Sequence, residues 1–245
     1  MRWLRDPLLW LSPLLLFLLL GMPLLRPLFA AAFPTTTPPI YSDDSFLALF
    51  LFHAEYVAFS SIAATLTGVG LGIAATREGG AEFRPLLEAL ATIGQTFPPV
   101  AVLALAVPAF GYGPAPTVIA LTLYGILPVL KNTLAGLGSV PAAVREAGEA
   151  MGLTRFQLLR DVELPLAAPT ILAGIRISVI INIGTAAIGS TVGAVTLGNP
   201  IIGGLVNGKV AYVIQGALIV GVFAILTDLL FERVDRRLRR FTTRD

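Results

Sequence analysis

Residues Ala89–Leu130, ALATIGQTFPPVAVLALAVPAFGYGPAPTVIALTLYGILPVL, hold no Asp, Glu, Lys, Arg or His over 42 consecutive positions. A helix needs about 20 apolar residues to cross the hydrocarbon core of a bilayer, so this stretch is long enough for two crossings. Pro108, Gly111, Gly113 and Pro114, in PAFGYGPAP, mark the turn between them, because Gly and Pro interrupt helices. Outward from this block, Leu8–Leu25 and Tyr56–Thr76 are also free of charge. Leu166–Ser190 contains only Arg176, and Val210–Thr227 completes the series. The pattern predicts an all-α membrane protein of about six spans, near 8–28, 55–76, 87–109, 114–131, 166–190 and 209–231. A single transmembrane domain over 1–245 leaves no room for a sizeable soluble one.

Composition agrees with this and closes off much chemistry. Charged residues make up 13% of the chain, about half the share in soluble domains. A net charge of +2 offers no clustered basic face for nucleic acid. With no cysteine and one histidine, there is no thiolate nucleophile, no cysteine–histidine zinc cluster and no second imidazole for a catalytic triad. No metal site or cofactor is expected, and no enzymatic activity.

Orientation comes from Lys and Arg, which accumulate in cytoplasmic loops. With the N-terminus inside, fourteen of the 17 lie on inner segments; Arg26 and Lys209 fall outside, and Arg176 falls within a span. Both termini are therefore expected in the cytoplasm. The apolar run from Leu8 is longer than the core of a signal peptide, so it is read as a span that is kept.

The inner segment 132–165 does not read as a plain connection. Pro141 suits the first turn of a helix running to Met151, and Gly152 can stop it. Thr154-Arg155-Phe156-Gln157 is a capping-box pattern that begins a second helix. Phe156, Leu159 and Val162 fall on one side of that helix, and Pro165 is expected to close it.

These residues resemble the EAA loop of ABC importer permeases, which reads EAA, three residues, G, nine residues, I, one residue, LP. Here Glu146-Ala147-Gly148, Gly152, Val162 and Leu164-Pro165 occupy those places, with Gly148 for the second Ala and Val162 for Ile. RPLLEALATIGQTFPPVAVLALAVP, YGILPVLKNTLAGL, ELPLAAPTILAGIRISVIINIGTAAIGSTVGA and LGNPIIGGL are similar to permeases of osmoprotectant importers for glycine betaine, choline and carnitine, while MRWLRDPLLWL, GAEFRPLLE and AYVIQGALIV look most like the YehW-type permease of a glycine betaine system. The resemblance implies a permease subunit of a type I ABC importer in a bacterial inner membrane. Its partners would be an ATPase subunit that receives the EAA loop, a second permease (a different chain or another copy) and a substrate-binding protein. The two short helices of the loop would be coupling helices.

Other motifs weigh less. Gly203-Gly204-Leu205-Val206-Asn207-Gly208-Lys209-Val210 misses a phosphate-binding loop by one residue, since Val210 stands where a magnesium-binding Ser or Thr belongs. His53, beside Glu55 and Tyr56, reads as a polar anchor just ahead of the second span. Gly68 and Gly72 have the four-residue spacing that lets helices approach closely in lipid. Arg176 is expected to tie its span to the cytoplasmic face. For the solute pathway the candidates are Gln95, Thr96 and Phe97 at the start of the third span, and Asn182, Thr185 and Ser190 along the fifth. For the fifth span, a helix–helix contact through small residues stands as the equal alternative.

Overall fold

The structure, a computed structural model, describes residues 6–94 and 96–242, with side chains described through 238. Among these residues the chain is helical with no strand. Four helices are long and apolar enough to cross a membrane, or six spans if each of two broken pairs counts as one.

The first crossing is broken: α1 (Pro7–Leu20) and the segment Met22–Ala32, which ends in α2 (Arg26–Ala32), meet at 82°. Gly21 and Pro23 lie at the break, where a missing side chain and a missing N–H remove what would continue the helix. Then α3 (Phe46–Ala75) starts nine residues earlier than the charge pattern indicated, because Glu55 does not end it. The Ser45 hydroxyl caps it, accepting from the Ala48 N–H at 3.1 Å. Consequently His53 lies within the helix, fully buried, with Nε2 3.0 Å from the Ile183 carbonyl and its ring edge-on to Phe223. It is a core residue and not an interfacial anchor.

Of the expected third span the structure makes two helices, α4 (Arg84–Gly94) and α5 (Pro99–Phe110), the second starting at the Pro98-Pro99 pair with Pro98 as its N-cap. The next, α6 (Pro114–Gly138), runs seven residues beyond the expected end. Gly111 and Gly113 take positive φ in the turn before it, a conformation that side chains oppose. After α7 (Ala142–Ala150) come α8 (Arg155–Gln157), a π-helical turn (Leu158–Glu163) and α9 (Leu164–Ala186). These last three form one continuous helix through Val192, so Pro165 does not close a separate helix. The wider i→i+5 turn ahead of Pro165 gives room for a ring that would otherwise strike a carbonyl. The chain ends with α10 (Gly198–Val206) and α11 (Val210–Thr242).

Two compact units result: Met1–Ser60, Pro98–Leu121 and Ile180–Leu229 in one; Ser61–Phe97, Thr122–Val179 and Leu230–Asp245 in the other. The first has a core of Leu18, Leu19, Met22, Leu49, Ile219 and Leu226. Within it the segment 37–41 is strapped to one face of α11. The Gln215 side chain accepts from the Tyr41 N–H at 3.0 Å and donates to the Pro39 carbonyl at 2.8 Å. The Tyr212 hydroxyl donates to the Pro38 carbonyl, and Lys209 Nζ to the Thr37 carbonyl. In the second unit Leu137, Ala167 and Ile171 pack with Val69, Ile73, Leu159 and Leu164. Gly68 and Gly72 face Val129 and Thr133 of α6 there, so the small-residue spacing is a packing seam. Leucines such as Leu66 and Leu105 are 71% and 74% exposed, as side chains turned to hydrocarbon would be.

Candidate functional site

The expected site on 132–165 is built by three local devices. Pro141 caps α7 with extended backbone (φ −61°, ψ 139°) and starts it without needing a donor. Gly152, at φ +83°, reverses the chain after Met151, a left-handed position that costs a side-chain-bearing residue about 1–2 kcal/mol. Thr154 then opens α8 with both halves of a capping box: its N–H donates to Gln157 Oε1 at 2.8 Å and its hydroxyl accepts from the Gln157 N–H at 3.3 Å.

The hairpin closes over Gly148. That residue is buried, and a Cβ there would lie 2.7 Å from a methyl of Leu158. Glu146, Ala147 and Gly152 are exposed, and so are the large apolar Met151 (75%) and Phe156 (69%). An outward face of acid, small and apolar side chains beyond the spans is suited to receiving another protein. Val162 and Leu164 are half-buried and Pro165 is exposed. Phe156, Leu159 and Val162 do not share one face as expected: the π-turn rotates the helix beyond it, leaving Phe156 outside while Leu159 joins the core.

Behind the hairpin lies a cluster that the pattern of the sequence did not bring forward. Glu163 is 3% exposed; Arg77 Nη2 reaches one carboxylate oxygen at 2.6 Å and Arg145 Nε the other at 2.8 Å. Arg145 also donates to the Leu137 carbonyl at 2.5 Å, in the last turn of α6. Arg155 pairs with Glu78 at 2.5 Å. A cavity of about 560 Å³ opens among these groups, lined also by Arg84, Gly138 and Glu149. In one dimension, Arg77 and Arg145 counted only as inner-side charge and Glu163 only as polar remainder. The usable signal was an acid placed directly before Leu164-Pro165, where the chain turns apolar.

Of the pathway candidates, Thr96 and Phe97 belong to one unit and Asn182, Thr185 and Ser190 to the other. Gln95 lies outside the described residues. Thr96 is exposed and its hydroxyl donates to the Ile93 carbonyl at 2.7 Å; Phe97 is 51% exposed and its carbonyl accepts from the Tyr124 hydroxyl. Asn182 is fully buried, with Nδ2 3.4 Å from the Ser60 hydroxyl, so for this residue the helix contact describes the geometry. Gly189 likewise faces Thr117, which a Cβ would meet at 2.5 Å. Thr185 is half-buried, and Ser190 borders a cavity of about 260 Å³ with Tyr41 and Asn199. The phosphate-loop look-alike is the end of α10 and its turn, with no strand before it among the described residues.

This chain belongs to the family of binding-protein-dependent transport system inner membrane components, which it matches over residues 68–240. It is a multi-pass membrane protein of that family. The osmoprotectant import permease protein OsmY of Salmonella typhimurium is 40% identical over 190 residues, 78% of this chain and 80% of that protein. The carnitine transport permease protein OpuCD of Listeria monocytogenes is 40% identical over 200 residues (81% and 86%). The choline transport system permease protein OpuBD of Bacillus subtilis is 39% identical over 203 residues (81% and 85%). Among solved structures, an inward-facing MetNI methionine ABC transporter chain superposes with a TM-score of 0.68 at 22% identity, over 80% of this chain and 99% of that one.

Proposed function

We propose that this chain is the permease subunit of an ATP-driven ABC importer for a quaternary-ammonium osmoprotectant such as glycine betaine, and that the face of α7 and α8 is where an ATPase subunit docks. The observation that carries the reading is the hairpin itself: a capped, glycine-reversed helix pair that leaves Glu146, Met151 and Phe156 exposed. The solute class rests on the names of the relatives, which are permeases for osmoprotectants, carnitine and choline. Both termini and the hairpin lie in the cytoplasm, in a bacterial inner membrane. A second permease, a different chain or another copy, completes the pathway, and a substrate-binding protein delivers the solute outside. Gln95, Thr96, Phe97, Thr185 and Ser190 remain the candidates for its lining. Hydrolysis is the work of the ATPase, since Val210 removes the magnesium ligand from the one phosphate-loop look-alike.

Proteoliposomes containing this chain test the reading, with glycine betaine, choline and carnitine as labelled solutes. Uptake is expected only with ATPase, second permease, binding protein and ATP all present, and Gly152→Trp with Glu146→Arg is expected to release the ATPase in a pull-down. Uptake driven by an ion gradient with no ATPase would make the chain a secondary carrier and overturn the proposal.

A further inference from the structure

We propose that Arg77, Glu163 and Arg145 form an ionic clamp that transmits movement of the hairpin to α3 and α9, with Glu163 as the positioning residue. This rests on the importer reading above.

A carboxylate removed from water is costly unless its charge is answered, and Glu163 is answered twice, one guanidinium to each oxygen. The two cations come from different elements. Arg77 lies just past the end of α3, and Arg145 stands on α7 directly before the exposed Glu146. Arg145 also satisfies the Leu137 carbonyl at the negative end of α6, so a single side chain ties α7 both to α6 and to Glu163. Four elements therefore meet at one carboxylate: the end of α3, the end of α6, α7 and the π-turn entering α9.

The space beside this junction is incompletely filled. A cavity of about 560 Å³ opens beside the ion pairs, bordered by Leu137 and Leu158 as well as by the charged groups. The arginines around it have their own carboxylates: Arg77 and Arg145 share Glu163, Arg84 takes Glu88, and Arg155 takes Glu78. With those charges engaged, the cavity is not a receptor for an anion. Glu163 is the last residue of the π-turn, a rare local geometry that is frequent at functional sites. Held there, it fixes the angle at which the hairpin joins α9. A push on α7 displaces Arg145, Arg145 carries Glu163, and Glu163 carries the base of α9 and, through Arg77, the end of α3.

The test uses the complete transporter in proteoliposomes and measures solute uptake per ATP hydrolysed for Glu163→Gln, Arg77→Ala and Arg145→Ala. Assembly with the ATPase is followed by size-exclusion chromatography. Each variant is expected to assemble and to hydrolyse ATP within about twofold of wild type, while uptake per ATP falls at least about fivefold, the low end of coupling between linked sites. Arg77→Ala combined with Glu163→Gln should be no worse than either alone, since they break one linkage. Arg84→Ala, which breaks the more exposed pair with Glu88, should leave the ratio unchanged. An unchanged ratio in Glu163→Gln would overturn the clamp. So would loss of assembly, which would make the cluster structural only. Should Glu163→Gln fail to fold, Arg77→Ala decides alone, because it leaves Arg145 on the carboxylate. Failure of the importer reading would show in the wild type, as uptake without ATP; failure of the clamp shows only in the variants.

Discussion

Gly72→Ala, measured against Gly70→Ala two residues away, isolates what close approach contributes to this fold. A Cβ on Gly72 would sit 2.6 Å from Thr133 Cγ2 and 2.7 Å from Thr133 Cβ, whereas a Cβ on Gly70 meets nothing within 4 Å. Carbon atoms prefer about 3.5–4.0 Å, so α3 and α6 would have to separate by about 1 Å at this level. Rotation of Thr133 cannot relieve the contact. Its Cβ is fixed to the α6 backbone, and its hydroxyl is bonded to the Val129 carbonyl at 2.8 Å. Overpacking of this kind costs about 1–3 kcal/mol. Both substitutions gain the same helix propensity, up to about 1 kcal/mol, so the difference between them is the packing cost alone. At about 2–4 °C per kcal/mol for a chain of this size, Gly72→Ala should melt about 2–12 °C below Gly70→Ala. The midpoint is read from the monodisperse fraction remaining after heating the detergent-solubilised protein. Gly68→Ala, 2.9 Å from Val129 Cβ, should fall between the two. Equal midpoints for Gly72→Ala and Gly70→Ala would refute the seam.

Replacing Gln215 by Leu strands the Tyr41 N–H and the Pro39 carbonyl, at about 1–3 kcal/mol for each buried group, and should lower the same melting midpoint. Gly148→Ala should be close to neutral, because the new Cβ meets only side-chain methyl ends, of Leu158 at 2.7 Å and Leu153 at 3.4 Å; Gly148→Trp should detach the hairpin and abolish ATPase pull-down. Burial raises the pKa of Tyr41 above its ordinary 10.0, reinforced by its hydrogen bond to Asp44 and by the charges of Asp44 and Asp43. The folded state therefore binds this proton more tightly than the unfolded one. The stability is fully present below pH 10.0 and is lost as pH rises beyond it, so Tyr41→Phe should show a shallower alkaline decline in thermal midpoint than wild type.

Much of the molecule was legible in one dimension because hydrocarbon imposes its requirement on each segment separately. An uncharged run must be helical and long enough to cross, so Tyr56–Thr76 and Ala89–Leu130 declared themselves without knowledge of their neighbours. The capping box at Thr154 and the reversal at Gly152 were equally readable, since each is satisfied by residues a few positions apart. Helix ends were read less well. Ser45 starts α3 ahead of His53, and α9 continues back through Pro165 to Arg155, because one acid or one proline does not end a helix whose other groups are satisfied.

What the order of residues alone settled is the kind of structure, a helical chain whose apolar segments are long enough to cross a bilayer. Which side chains meet was settled only in three dimensions. Asn182 looked equally fit for a pathway or a helix contact until Ser60, 122 positions away, was found beside it. Glu163 passed as ordinary polar surface until folding placed Arg77 and Arg145 on its two oxygens. Hydrophobic length is a property of one segment, whereas the cost of a buried charge depends on partners supplied by distant ones.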